Sequence, residues 1–198
     1  MNNFETFSSI YEEMKIHGMQ VPKETVNLQI NNSRKILDNA MSYFLSFEGR
    51  SYEKQPEYEQ VAEWLSNNKG KGLFLYGNCG RGKTILARFV IPAILLKYCR
   101  KVVSFYNATD LDLKVDEALK KHIISIDDIG VETESVNYGK RRIPVAEIVD
   151  AAEKNGKLLI ITSNLTGEDI IHRYGDRVYD RIISTCKRVL FTGESLRK

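Results

Sequence analysis

Few cysteines and histidines restrict the kinds of site that this sequence can build. Only three of each occur among 198 residues, and their spacing matches neither a disulfide framework nor a set of zinc ligands. A chain that depends on no disulfide suits a reducing compartment. We therefore expect a cytoplasmic protein without a structural zinc ion.

Long apolar runs and a strong excess of one charge are also missing. The apolar stretch at residues 91–96 is far too short to span a bilayer, and the N-terminus lacks the basic-then-apolar pattern of a signal peptide. Lys and Arg total 29 against 26 Asp and Glu, so net charge alone does not indicate a nucleic-acid-binding protein. Since 42% of the residues are hydrophobic, the sequence predicts a soluble protein with a substantial core.

A glycine-rich segment in the first half of the chain matches the phosphate-binding P-loop. Residues 73–76 form a short apolar run typical of a buried strand, and residues 77–84 then read Gly-Asn-Cys-Gly-Arg-Gly-Lys-Thr. Glycine lets the backbone turn closely around a polyphosphate because no Cβ obstructs it, and the following helix presents its positive end to the anion. A glycine-rich turn that matches by chance is the alternative. The strand before the motif and the apolar helix after it favour the P-loop.

The P-loop predicts which residues bind a nucleoside triphosphate and its metal ion. We expect Lys83 to reach the terminal phosphates and the hydroxyl of Thr84 to bind Mg²⁺. The predicted nucleotide-binding residues are Gly77, Asn78, Cys79, Gly80, Arg81, Gly82, Lys83, Thr84 and Ile85.

Strand and helix patterns alternate through the rest of the sequence. The predicted strands cover residues 73–76, 102–106, 122–126, 158–162 and 188–191. The helical patterns after the P-loop helix cover residues 110–121, 144–154 and 173–184. This alternation predicts an α/β fold in which a five-stranded parallel sheet carries helices on both faces.

The first 50 residues are predicted to form a small helical region. Apolar residues recur at helical spacing over residues 4–17, and a second apolar stripe follows a capping cluster at residues 31–33. Such a stripe is more often ordinary core than partner surface. Residues 47–55 are polar and are interpreted as a linker. We therefore expect an N-terminal helical region over residues 1–50 and a nucleotide-binding domain over residues 51–198.

Polar side chains follow two of the predicted strands. Asp127 and Asp128 come directly after the strand at 122–126, and Asn164 follows the strand at 158–162. In P-loop proteins a strand-end Asp holds the Mg²⁺ that bridges the phosphates, which fits Asp127, and Asp128 is then placed to orient or deprotonate a water. Asn164 falls at the sheet edge where ligands bind, near the γ-phosphate or that water. Polar turns that merely end strands are the alternative at both places.

Four motifs taken together resemble the DnaC/IstB group of AAA+ ATPases. They are the P-loop, Asp-Asp-Ile-Gly at 127–130, Thr-Ser-Asn-Leu at 162–165, and Arg-Tyr-Gly-Asp-Arg-Val-Tyr-Asp-Arg-Ile at 173–182. The group contains bacterial and phage helicase loaders and transposition helper ATPases. The resemblance covers residues 56–198 and implies an AAA+ core that binds ATP and Mg²⁺.

The resemblance also implies a role for each matching residue. Lys83 and Thr84 correspond to Walker A, Asp127 and Asp128 to Walker B, and Asn164 to sensor 1. Arg181 matches the arginine finger, with Arg177 one helical turn earlier, and Arg197 is a candidate for sensor 2. Many AAA+ proteins have Glu where this chain has Asp128, so we expect slow hydrolysis. The sequence ends a few residues after the last predicted strand, so no C-terminal helical lid is expected.

The implied function is ATP-dependent helicase loading in DNA replication. By this resemblance, residues 1–50 would bind a replicative, DnaB-like helicase, the ATP-bound protein would form a homo-oligomer, and the core would contact single-stranded DNA. The segment at 131–143 contains Lys140, Arg141 and Arg142 for phosphates and Tyr138 for stacking on a base. A solvated basic loop is the alternative for that segment.

Three other functions are compatible with the same motifs. A transposase helper would use the same ATPase core with a different client. A small-molecule kinase would also use a P-loop, although the paired carboxylates and Asn164 favour activation of water. A binding module that holds ATP without turnover is the third.

Overall fold

Five parallel strands form the sheet at the centre of the fold. The computed structural model describes residues 3–132, 136–137 and 140–196. The strands are β1 Gly72–Gly77, β2 Ser104–Asn107, β3 Ile123–Ile129, β4 Val136–Asn137, β5 Lys140–Arg141, β6 Leu158–Ser163 and β7 Cys186–Phe191. Strands β4 and β5 form a separate antiparallel hairpin, whereas the other five pair in the order β2-β3-β6-β1-β7. The predicted five-stranded parallel sheet is thus confirmed.

The central strands are apolar on both sides because helices cover both faces of the sheet. Leu73 and Leu75 of β1 face one core, while Phe74 between them faces the other, and all three side chains are buried. All six residues of β6 are also buried. A strand buried on both faces reads as a continuous apolar run, which is why β1 and β6 stand out in the sequence.

Nine helices are present in the described part of the chain. They are α1 Asn3–Ile16, α2 Ser33–Ser46, α3 Pro56–Ser66, α4 Lys83–Ile85, α5 Ile91–Cys99, α6 Leu111–Ala118, α7 Pro144–Asn155, α8 Gly167–Tyr174 and α9 Asp176–Thr185. The π-helical segment Leu86–Val90 joins α4 to α5, so the chain is helical from Lys83 to Cys99. Among the described residues, no helix has the length and apolar character that a membrane crossing requires.

The helix predicted over residues 173–184 corresponds to α9, and its first two residues belong to a separate helix, α8. Gly175 separates α8 from α9 with a backbone φ of 87°, a conformation that glycine adopts without strain. Helix α8 begins at a capping box, in which Thr166 accepts a hydrogen bond from the Asp169 backbone and Asp169 accepts one from the Thr166 backbone. The sequence prediction missed α8 because only a short amphipathic stretch precedes the glycine.

Helix α2 packs against α3 and against the helix that runs from the P-loop to Cys99. Leu37 and Met41 of α2 are completely buried, and they share one hydrophobic cluster with Trp64 of α3 and Leu95 of α5. The predicted linker at 47–55 therefore does not separate two packed units. Helix α1 differs, since Phe7 is largely exposed. The division of roles between residues 1–50 and 51–198 stays a prediction, but in packing α2 belongs with the nucleotide-binding core.

Two truncated chains are expected to behave differently because of this packing. A chain starting at residue 21 should unfold at nearly the full-length temperature, since only α1 and its exposed surface are lost. A chain starting at residue 51 should be unfolded or insoluble, because burial of each large apolar side chain contributes about 1.5–3 kcal/mol and α2 buries several. Thermal unfolding followed by circular dichroism measures both. Equal midpoints for the two truncations would contradict the assignment of α2 to the core.

Candidate functional site

The order of the strands brings the predicted polar residues to one edge of the sheet. Strand β6 lies between β1, which leads into the P-loop, and β3, which ends in two carboxylates. Asn164 follows β6 and therefore sits between Lys83 and Asp128. Ligands bind at this carboxyl edge in open parallel sheets.

Lys83 and Asn164 form the centre of the site. The buried ammonium group of Lys83 donates hydrogen bonds to the carbonyl oxygens of Gly77 at 2.9 Å and Asn78 at 2.7 Å. It also donates to Oδ1 of Asn164 at 2.8 Å, and Nδ2 of Asn164 donates to Oδ1 of Asp128 at 2.7 Å. A continuous chain of hydrogen bonds thus runs from the P-loop lysine to the second carboxylate of β3.

The P-loop has the backbone shape that its glycines predict. Gly82 has a φ of 90° directly before α4, a conformation that a residue with a Cβ would rarely adopt. Gly80 has a φ of 75°, and a Cβ there would collide with the side chain of Ser195. This curved backbone before the helix N-terminus, with the Lys83 ammonium beside it, fits a polyphosphate.

Thr162 connects the two carboxylates at the end of β3. Its hydroxyl donates to Oδ1 of Asp127 at 2.6 Å and accepts from the backbone N–H of Asp128 at 2.7 Å. Asp127 is held nearly buried, while Asp128 adopts a φ of 59°, uncommon for a residue with a Cβ. In the sequence Thr162 is only the first residue of the Thr-Ser-Asn-Leu motif, and its one signal is a hydroxyl at the end of an apolar strand.

Asp128 is a stronger base than an ordinary aspartate. Partial burial raises the pKa of Asp128, and the neighbouring charge of Asp127 raises it further. The ammonium of Lys83 and the hydrogen bond from Asn164 act in the opposite direction without cancelling the rise in pKa. A carboxylate with a raised pKa at the rim of a phosphate-binding loop suits a group that accepts a proton.

The side chain of Arg81 anchors the P-loop. Its guanidinium donates to both carboxylate oxygens of Glu57 in α3, at 2.9 and 3.1 Å, and to Gln55 at 2.7 Å. Both members of the Arg81–Glu57 pair are buried, and Glu57 also accepts the backbone N–H of Thr192 at 3.0 Å. Arg81 was predicted among the nucleotide-binding residues, and its side chain instead binds α3. No motif in the sequence points to Glu57 as part of the site.

Residues 192–196 lie along the outer side of the P-loop. Nδ2 of Asn78 donates to the carbonyl oxygen of Gly193 at 2.9 Å, and the backbone N–H of Leu196 donates to Gly80 at 3.0 Å. A cavity of about 370 Å³ opens beside Gly82. Its lining includes Arg50, Ser51, Tyr58, Glu194 and Ser195. This cavity adjoins the P-loop at Arg81 and Gly82.

Arg181 contacts carboxylates of its own chain. It pairs with Asp150 and donates to Glu153 at 2.7 Å, both on α7, and its side chain is only 14% exposed. Arg177, one turn earlier, is 74% exposed and lies 4.0 Å from Asp150. Arg181 is thus held by two carboxylates of α7 in its own chain. The described contacts do not bring Arg181 to Lys83.

The predicted DNA-binding segment is described only in part. The guanidinium of Arg142 donates to Glu147 at 2.7 Å and to Asp116 at 2.7 Å, so two carboxylates compensate its charge. Tyr138 and Arg197 lie outside the described residues, as do the side chains of Lys140 and Arg141.

No group of three or more His, Cys, Asp or Glu side chains in the described part of the chain could hold a metal ion by itself. Mg²⁺ that is bound together with a nucleotide usually has only one or two protein ligands besides the phosphates. Thr84 and Asp127 stay the predicted protein ligands of such an ion.

Comparison with known proteins supports the same kind of site. The sequence model of the family described as Novel STAND NTPase 3 matches residues 52–190, which include the P-loop, both carboxylates and Asn164. A search of curated proteins found no match.

Several solved structures share the fold. The crystal structure of the DnaC helicase loader is 21% identical, covers 71% of this chain and 93% of its own, and gives a TM-score of 0.58. A putative primosome component from Streptococcus pyogenes serotype M3 is 21% identical, with 84% of each chain covered and a TM-score of 0.51. AMPPCP-bound DnaA from Aquifex aeolicus is 19% identical, covers 72% of this chain and 49% of its own, with a TM-score of 0.54. The predicted resemblance to helicase loaders is confirmed at the level of the fold.

Proposed function

Because the chain belongs to the Novel STAND NTPase 3 family, we propose that it is an ATPase whose turnover occurs at the P-loop edge of the sheet. The single observation that supports this best is the hydrogen-bonded chain from Lys83 through Asn164 to Asp128. It connects the Lys83 ammonium, which suits phosphate oxygens, to the Asp128 carboxylate, which suits a proton from water. Polar turns that merely end strands would not be expected to link a P-loop lysine to a carboxylate on another strand.

The three residues joined by these hydrogen bonds have distinct tasks in the proposed reaction. Lys83 binds the terminal phosphate oxygens and offsets the charge that develops there. Asn164 fixes the distance between that lysine and Asp128. Asp128 orients the attacking water and accepts its proton. Thr84 and Asp127 would hold Mg²⁺, which supplies further positive charge at the phosphates.

Phosphate release measures this activity directly. The purified protein with ATP and Mg²⁺ should release inorganic phosphate slowly, and chelation of the metal by EDTA should stop the release. ATP that binds with no phosphate release under any condition would contradict the ATPase and favour a binding module. Phosphate that appears on an added small molecule would favour a kinase.

Replacement of Asp128 by asparagine is expected to slow hydrolysis without loss of Mg²⁺–ATP binding. The proton acceptor is removed, which typically costs about 10²–10⁴-fold in rate, while Asp127 remains for the metal ion. Asparagine tolerates the positive φ at this position and can still accept from Asn164. Single-turnover hydrolysis and fluorescent-nucleotide binding measure the two effects separately. Normal turnover per bound ATP would contradict the role of Asp128.

The same substitution should raise the melting temperature of the nucleotide-free protein at neutral pH. Since the pKa of Asp128 is raised by folding, the ionised carboxylate disfavours the folded state at pH values above the ordinary Asp pKa. That cost disappears as the pH falls below the ordinary value, where Asp128 is protonated in both states. The difference between the variant and the wild type should therefore shrink in acid. A stability difference that grew in acid would contradict the raised pKa.

The cellular role that the fold supports best is helicase loading. Among the proteins with this fold, DnaC is a helicase loader and the Streptococcus pyogenes protein is a putative primosome component. The exposed apolar residues Phe7 and Ile16 of α1 would provide a surface for a client helicase. We infer that the protein acts in the cytoplasm, forms a homo-oligomer when ATP is bound, and contacts single-stranded DNA, with Lys140, Arg141 and Arg142 as one candidate contact. A transposase helper would use the same core.

Removal of α1 alone tests the client surface without disturbing the core. Affinity capture with the full chain and with the chain starting at residue 21 should recover a DnaB-like helicase only with the full chain. Recovery of a transposase would favour the helper function. Equal recovery of the helicase by both chains would exclude α1 as its binding surface.

A further inference from the structure

A second surface, distant from the P-loop, combines cations with exposed aromatic rings. Two adjoining grooves between α2 and α5, of about 510 and 370 Å³, share Ile36, Asn39 and Tyr98 in their linings. Together they are called the α2–α5 groove. Other lining residues are Asn31, Asn32, Lys35, Tyr43 and Lys97. Tyr98 is near the end of the continuous helix that starts at Lys83, about 20 Å along its axis at 1.5 Å per residue.

The charge of the α2–α5 groove is positive and uncompensated. No carboxylate lines either groove. Lys35 and Lys97 are exposed, and neither forms an ion pair with a described carboxylate. The sequence explains part of this, since residues 64–109, which include α5, contain no Asp or Glu. Arg100, exposed directly after α5, adds a further cation.

The aromatic rings in this region are exposed but held in place. Tyr43 is 60% exposed and packs edge-on against Phe44, with ring centroids 5.3 Å apart, and against Phe47 at 5.1 Å. Tyr98 is 46% exposed, and the Lys97 ammonium lies 5.4 Å from its ring centroid. Exposed rings that are already positioned serve as platforms on which bases stack, with cations alongside for the backbone phosphates.

The lysines of the α2–α5 groove are more available to phosphates than Arg142, the cation of the 131–143 segment whose side chain is described. Arg142 is already bound by Asp116 and Glu147, whereas neither Lys35 nor Lys97 forms an ion pair with a described carboxylate. The amide side chains of Asn32 and Asn39 add donors and acceptors for base edges. A groove with separate rings, amides and lysines suits a strand with alternating bases and phosphates better than the continuous apolar face of a helix.

We propose that the α2–α5 groove binds single-stranded nucleic acid, with Lys35 and Lys97 on the phosphates and Tyr43 and Tyr98 stacked on bases. The surface is separate from the ATP site and from residues 140–142, and binding there does not require ATP turnover. The long helix from Lys83 to Cys99 physically joins this groove to the P-loop.

Fluorescence anisotropy of labelled oligo(dT) and oligo(U), measured over a series of salt concentrations, tests the proposal. The double variant Lys35→Gln/Lys97→Gln should bind either oligonucleotide more weakly. Its slope of log affinity against log salt should fall by about 1.4, since each phosphate contact on a single strand contributes about 0.7. Tyr98→Ala should weaken binding by about 5- to 150-fold with an unchanged slope, because a stacking contact releases no counterions. Tighter binding of oligo(dT) or of oligo(U) shows whether the groove prefers single-stranded DNA or RNA.

The matched control is a second double Lys→Gln variant, which removes the same two positive charges on the opposite face of the sheet. Lys114 in α6 and Lys120 just after it are exposed, so Lys114→Gln/Lys120→Gln should bind like the wild type. Fluorescent-nucleotide binding should stay unchanged in all three variants, which shows that they are folded and separates this test from that of the ATPase. Equal salt slopes for the two double variants would overturn the proposal. So would a wild type that binds neither oligonucleotide at low salt but captures an acidic peptide in this groove.

Discussion

Replacement of Lys83 by alanine is expected to abolish detectable ATP turnover while the protein stays folded. Lys83 is the cation nearest the expected phosphates and the donor that Asn164 accepts. Loss of one preorganised donor at a developing negative charge typically costs about 10²–10³-fold in rate, and here the hydrogen-bonded chain to Asp128 is interrupted as well. The carbonyl oxygens of Gly77 and Asn78 lie at a partly exposed loop, so water can replace the lost ammonium there.

Phosphate release, ATP affinity and thermal unfolding should be measured together for this variant. Lys71→Ala is the matched control, because Lys71 is exposed just before the opposite end of β1 and its removal changes the net charge equally. The control should have wild-type turnover. Turnover and ATP affinity that are unchanged in Lys83→Ala would refute the P-loop assignment, since no other described group replaces this lysine.

Replacement of Arg181 by alanine is expected to leave ATP binding intact and to reduce hydrolysis strongly. An arginine that reaches a neighbouring subunit's γ-phosphate stabilises the transition state, and such residues can contribute about 10³–10⁵-fold in rate. In the isolated chain Arg181 is held by Asp150 and Glu153. Action on a neighbour therefore requires either that assembly releases this guanidinium or that α7 and α9 present it at the subunit boundary.

A mixing experiment distinguishes this role from a structural one. Arg181→Ala retains an intact P-loop, and Lys83→Ala retains an intact arginine, so each alone should be inactive. Mixed under assembling conditions, they form some boundaries where an intact P-loop meets an intact arginine. Partial recovery of hydrolysis would place Arg181 in trans. Melting temperatures of both variants are needed, because removal of Arg181 leaves two carboxylates of α7 without this partner.

Arg177→Ala is the informative control for Arg181. Arg177 lies on the same helix but is far more exposed, so its guanidinium can reach a neighbour without breaking a close ion pair. If Arg177→Ala loses activity and Arg181→Ala does not, the finger is Arg177 and Arg181 only fastens α9 to α7. Wild-type turnover in both variants, or no recovery of hydrolysis in any mixture, would show that α9 does not supply an arginine finger.

Local chemistry explains why much of the fold and site could be predicted. The P-loop residues are consecutive, and glycine, lysine and threonine at these spacings have few other uses. Asp127 and Asp128 directly follow one apolar run, and Asn164 follows another after Thr162 and Ser163. Strand ends in a parallel sheet share one edge. The three central strands β1, β3 and β6 stand out because burial on both faces gives nearly continuous apolar segments. The resemblance to helicase loaders depended on the same short motifs.

The sequence by itself thus determined the phosphate-binding loop, the carboxylates and the parallel sheet, because each depends on neighbours in the chain. Only the tertiary structure decided the contacts between distant residues. The order of strands places Asn164 between Lys83 and Asp128, burial pairs Arg81 with Glu57, and packing joins α2 to the core. These contacts depend on which elements lie side by side, and periodicity and motif spacing carry no information about that choice.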